Sequence, residues 1–129
     1  MRVKKSFTLI EILVVIVIIG ILVTLALPNY SRIQEKALDR EARATLVLMR
    51  AAERIYKMEY GNYFISGVIS DINSYLKLSL PTAASPKWDY SVTDTATGTI
   101  QGTRLGGIRT WELISSTASE EPGCTGTCL

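Results

Sequence analysis

The stretch Phe7-Thr8-Leu9-Ile10-Glu11-Ile12-Leu13-Val14-Val15-Ile16-Val17-Ile18-Ile19-Gly20-Ile21-Leu22-Val23-Thr24-Leu25-Ala26-Leu27 decides the fold. It holds one charge, Glu11, and as a helix it would be about 32 Å long, enough for a bilayer core of about 30 Å. Ahead of it stand Arg2, Lys4 and Lys5 with no acid, a cluster that the positive-inside rule keeps in the cytoplasm while the chain after Leu27 is exported. An ordinary secretory signal would have a shorter apolar core and small residues at a cleavage site. Leu25-Ala26-Leu27-Pro28 does not supply that pattern. A plain signal anchor explains length and orientation but not Glu11, because a carboxylate in a spanning helix is expensive and calls for a cationic partner.

The composition of the rest narrows the function classes. At 129 residues the chain has room for one ordinary domain. With no histidine it lacks the commonest general base, the commonest zinc ligand and the base of most nucleophile pairs, so an enzyme is not expected. Three of its 14 basic residues lie in the leader, and the remaining 11 nearly balance 12 acids, so direct nucleic-acid binding is not inferred.

Lys4-Lys5-Ser6-Phe7-Thr8-Leu9-Ile10-Glu11, followed by the apolar run to Leu22, resembles the class III signal of type IV pilins and type II secretion pseudopilins. The resemblance implies a cut by a prepilin peptidase between Ser6 and Phe7 and N-methylation of Phe7. Ser6 stands where the family normally has Gly. It also implies an assembly role for Glu11, its carboxylate facing the Phe7 amine of its own or an adjacent subunit near the positive end of the helix. The implied life history is a single-pass inner-membrane protein with a periplasmic head. An inner-membrane assembly platform then incorporates it, as a homo- or hetero-oligomer, into an extracellular pilus or a periplasmic pseudopilus. No cofactor or metal is implied. The calcium loop and the Pro-Trp-Gly segment of major pseudopilins are not found in the sequence, which places the pilin reading ahead of the pseudopilin one. Asp89 and Asp94 read as solvated turn acids. A membrane-tethered periplasmic binding module is the alternative from a different class.

Working outward, Pro28 removes a backbone donor and is expected to loosen the helix near Thr24 to Pro28 and to separate the assembly helix, 7–28, from an exported head, 29–129. Residues 29–60 read as a helix with two apolar stripes. One is Ile33, Ala37, Ala44, Leu48, Ala51, Ile55 and Met58; the other is Leu38, Ala42, Met49 and Tyr56, and together they make the helix too broadly apolar to be packed on one side only. Tyr30, Tyr56, Tyr60 and Tyr63 read as packing residues. Gly61-Asn62 is a C-terminal stop.

The loop 61–87 carries a short capped helix around Ser70 to Lys77. Trp88, Tyr90 and Val92 alternate with polar residues as a strand. Thr99 to Leu105 and Ile108 to Ile114 follow, joined at Gly106-Gly107, giving a β-meander over 88–114 of three or four strands. Its Trp88 and Trp111 side should pack on the helix. The tail 115–129 holds Cys124 and Cys128, for which an oxidising compartment favours a disulfide. The expected fold class is α+β, a long N-terminal helix on a small antiparallel sheet in the lollipop form of pilins.

Overall fold

The computed structural model describes residues 7–82, 87–119 and 121–128, without the side chains of 26–29. The leader 1–6, including Ser6, and the expected loosening at Pro28 therefore lie outside what is described. The chain divides into two compact units, residues 1–36 and 37–129.

Helix α1 runs from Leu9 to Tyr60. It ends where the sequence places its stop: Gly61 takes the left-handed φ of 85° and donates its N–H to the Lys57 carbonyl at 2.8 Å. Among the described residues no single helix is long and apolar enough to cross a membrane, whereas Leu9–Leu25 and Tyr30–Tyr60 taken together are, by length and composition. The apolar portion Leu9–Leu25 measures about 26 Å, so the expected span of 7–28 depends on the residues after Leu25.

Helix α2, Ile69–Tyr75, is shorter than anticipated and is not capped by a side chain. Its N-cap is Val68, whose own N–H is held by the Ser66 hydroxyl at 2.9 Å. Lys77, read as helical, adopts a left-handed φ of 55° instead. Past the helix, the Asn73 side chain both donates to the Leu80 carbonyl and accepts its N–H, closing the turn that leads to β1.

Four antiparallel strands follow in the order β1-β2-β3-β4: Trp88–Val92, Thr99–Arg104, Thr110–Ile114 and Gly123–Thr125. The alternation in β1 buries Trp88, Tyr90 and Val92 and leaves Asp89 exposed, as read. The third strand begins at Thr110 rather than Ile108. The tail contributes a fourth strand, registered Trp111 to Cys124. Across the sheet, Tyr90 pairs with Gly102 and Gly102 with Trp111. A β-carbon on Gly102 would sit 3.1 Å from the Tyr90 ring and 3.7 Å from Leu46, so the glycine opens the space into which α1 settles.

The second stripe of α1 is the buried one. Ala42, Leu46 and Met49 are inaccessible and join Ile72, Leu76, Trp88, Tyr90, Val92, Ile100, Trp111 and Leu113 in one core, with Leu38 and Tyr56 packed against it. The first stripe faces outward: Leu48 is 53%, Ile55 56% and Met58 79% exposed.

Glu53 shares the buried face and is fully enclosed. One carboxylate oxygen accepts the Phe64 N–H at 2.9 Å, clipping the connecting loop to α1, and the other has no partner. Arg50 and Arg54 next to it direct their donors to the carbonyls of Ser115, Thr117 and Ser119 instead. Burial therefore pushes the Glu53 carboxyl up from 4.5 to about 7, against the opposing pull of the Phe64 hydrogen bond.

Two outcomes are expected. A fragment starting at Asn29 contains the whole core and should be soluble, monomeric and helical plus sheet by sedimentation and circular dichroism; unfolded material under oxidising conditions would refute this. In that fragment the Glu53 contribution runs one way: the folded state keeps a proton that the unfolded chain has released, so stability falls as pH rises from 4.5 to about 7. Glu53→Gln keeps the acceptor for Phe64 and should remove this component. Urea unfolding from pH 4.5 to 7.5 should therefore show the variant gaining on the wild type up to about pH 7, and equal slopes would contradict the assignment.

Candidate assembly site

The predicted assembly residues open α1. Phe7 and Thr8 precede the helix, Glu11 lies in its first turn, and the Glu11 and Ile12 N–H groups both reach the Thr8 carbonyl, at 3.1 and 3.4 Å. A carboxylate in a first turn is favoured by the unsatisfied N–H groups there. Phe7 is 75% exposed, and the side chains from Leu9 to Leu25 are exposed all round the helix. Among the described residues nothing pairs with Glu11. An all-round apolar helix of this kind is not a stable surface in water and needs lipid or other helices around it.

The head contributes a polar anchor that sequence reading missed. Arg109 donates to Asp39 at 2.6 Å, the Trp111 indole N–H reaches the same oxygen at 3.3 Å, and the Arg109 Nε donates to the Thr127 carbonyl at 2.8 Å. Both charged groups are buried. One guanidinium thus ties α1 to the start of β3 and to the chain end. The signal was present in the sequence: Asp39 and Glu53 both fall on the stripe of Ala42 and Met49, where a charge needs a partner brought from elsewhere.

The tail is closed by the expected disulfide, Cys124–Cys128. Gly126 inside it has φ 93°, and a β-carbon there would collide with the Ile108 carbonyl oxygen, so the small loop lies directly against the backbone before β3. Asp94 closes its own turn, accepting the Ala96 N–H at 2.8 Å and the Thr97 hydroxyl at 2.7 Å, and these bonds hold its carboxyl below the usual range.

Comparison with known proteins agrees with the N-terminal reading. Residues 1–27 match the family described as the prokaryotic N-terminal methylation motif. That match covers the basic leader and the apolar stretch that follows it. It is 42% identical over 60 residues to the type II secretion system core protein G of Escherichia coli (strain K12), covering 46% of this chain and 41% of that protein. The core protein G of Klebsiella pneumoniae is 40% identical over 63 residues, 49% of this chain and 45% of its own length. The type IV major pilin protein PilA of Myxococcus xanthus is 36% identical over 60 residues, 46% of this chain and 27% of that pilin. The chain thus spans less than half the length of these relatives. No solved structure matches it. Similar proteins of both the secretion and the pilus kind are thus present.

Removing one partner of the buried pair leaves the other charge uncompensated, which typically costs about 3–5 kcal/mol. Asp39→Ala should therefore lower the stability of the head by about that much, and Asp39→Asn by less, because the amide oxygen still accepts from Trp111 and Arg109. Denaturant unfolding checks both, and a loss below about 1 kcal/mol for Asp39→Ala would contradict the anchoring role.

Proposed function

We propose that this chain is a structural subunit of a type IV pilus-like filament. Prepilin peptidase cuts between Ser6 and Phe7, the Phe7 amine is methylated, and the N-terminal helix holds the subunit in the inner membrane with its head in the periplasm. An assembly platform in that membrane then polymerises it through the same helix. The observation that carries this reading is the uncovered apolar surface of α1. It includes the whole circumference from Leu9 to Leu25 and, in the head, the stripe of Leu48, Ile55 and Met58 left over after the sheet has been covered. A helix that has already satisfied its own domain and still exposes an aliphatic stripe is built for other copies or for lipid. Glu11 then supplies registry, since its carboxylate in an apolar surrounding is favourable only beside an ammonium such as the Phe7 amine of a neighbour.

The second reading is a subunit of a type II secretion pseudopilus. Its support is the likeness of nearly half of the chain to type II secretion system core protein G of several bacteria. The two readings share the cut, the methylation and the polymerisation. They differ in where the fibre ends, at the cell surface or within the periplasm, and loss of the gene should remove surface fibres in the first case and exported enzymes in the second.

Mass spectrometry of filament-derived protein should give a chain beginning at N-methylated Phe7; an intact Met1 start would refute the processing. Glu11→Val should be inserted and cleaved yet yield at least about tenfold fewer fibres by electron microscopy, since an unpaired buried ammonium costs several kcal/mol. Mixing it with wild type should partly restore them. Normal fibres from Glu11→Val alone would refute the salt bridge as an assembly requirement.

A further inference from the structure

The loop closed by Cys124 and Cys128 can be opened from outside. Cys124 sits in β4, half-buried and packed against the core, whereas Cys128 lies past the strand and is exposed. A disulfide with one end in solvent is open to attack by an external thiolate, and accessible disulfides are the labile ones.

The residues inside the loop have few other ties. β4 ends at Thr125. Beyond it, among the described residues, the Cys128 N–H donates to the Gly126 carbonyl at 3.1 Å, within the loop, and the Arg109 Nε–H donates to the Thr127 carbonyl at 2.8 Å. Without the covalent link, residues 126–128 would be the end of a chain, which frays unless something holds it. The disulfide returns Cys128 to Cys124, a strand position registered to Trp111, and so keeps Thr127 at the guanidinium.

That guanidinium is the buried fastener of the head. Arg109 also donates to Asp39 of α1 at 2.6 Å, and Trp111 reaches the same carboxylate oxygen at 3.3 Å. Because the group is planar, holding Nε on Thr127 also fixes the direction in which Nη1 meets Asp39. Both charged residues are buried, so each acceptor withdrawn from them is expensive.

We propose that the Cys124–Cys128 loop is a redox-operated latch on the Arg109–Asp39 pair: closed, it holds the Thr127 carbonyl on the guanidinium; opened, it releases the chain end and slackens the grip of α1 on β3. Closing takes two electrons from the cysteine thiols and passes them, with their two protons, to a disulfide such as oxidised glutathione, which leaves as two thiols. Dithiothreitol runs the exchange backwards and ends as its own cyclic disulfide. The latch is independent of the filament reading, and no fibres are needed to test it.

The test uses the full-length chain in detergent micelles, with and without dithiothreitol. Hydrogen exchange at the indole N–H groups of Trp111 and Trp88 is followed by nuclear magnetic resonance, the signals being assigned through Trp111→Phe. Reduction should speed exchange at Trp111 at least about fivefold and leave Trp88, buried in the same core, unchanged. In Arg109→Lys the ammonium keeps a charge beside Asp39 but is too compact to hold the Thr127 carbonyl as well, so dithiothreitol should no longer alter Trp111. Linkage makes the effect reciprocal: equilibrated with glutathione, the disulfide of Arg109→Lys should lie at least about fivefold further toward the thiols than that of the wild type. Exchange at Trp111 that ignores reduction, an equal acceleration of both indoles, a wild-type response to dithiothreitol in Arg109→Lys, or a wild-type glutathione equilibrium in that variant would each overturn the proposal.

Discussion

A sheet of four strands, each three to six residues long and apolar on one face, is marginal in water while that face is uncovered. It stands here because α1 lays Ala42, Leu46 and Met49 across it, and every other feature of the head follows from that contact. The helix must come close, so Gly102 occupies the strand position under Leu46. It must stay in register, so Asp39 takes Arg109 and Trp111 from β3 at one level and Glu53 takes the Phe64 N–H from the connecting loop at another. These two carboxylates are some fourteen residues apart along α1, about 21 Å, and act as fasteners at either side of the apolar contact.

Much of this was legible because the periodicities are clean. Trp88, Tyr90 and Val92 announce a half-buried strand, Gly106-Gly107 a hairpin, and Gly61 the end of a helix that the structure closes at the preceding residue. The fourth strand, Gly123–Thr125, left no such trace: three residues of Gly, Cys and Thr have no apolar alternation, and only pairing with Thr110 to Glu112 makes them a strand. The missing cap on α2 is a matter of where the helix starts: it begins at Ile69, so Val68 occupies the N-cap position and Ser70 and Asp71 lie inside the first turn.

The burial of α1 was the harder question. Both of its stripes are apolar, and the spacing that carries the first past Arg40 or Glu41 carries the buried one through Asp39 and Glu53. Read alone, those carboxylates argue for the solvent side. Their partners come from distant segments, and only the folded sheet shows that Asp39 is satisfied by Arg109 and that Glu53 meets a backbone N–H. The candidate site divides in the same way: Phe7, Glu11 and the cysteine pair stand out by motif and spacing, while the Asp39–Arg109 anchor exists only after the sheet has folded onto α1.

The outward aliphatics Leu48, Ile55 and Met58 make physical sense once burial of the other stripe is granted. A charge at those three positions would be cheap for a free head, so leaving them aliphatic favours association. The polar groups have been moved inward, where they fix the head as one body, and the apolar groups remain outward, where a partner can use them. A head held rigid by buried fasteners loses little conformational freedom when its stripe is covered, so the gain from desolvating Leu48, Ile55 and Met58 is not offset by ordering the domain that carries them. On the filament reading, rigidity inside and apolarity outside are two parts of one design, in which a head already folded has only to remove surface from water when a partner covers its stripe.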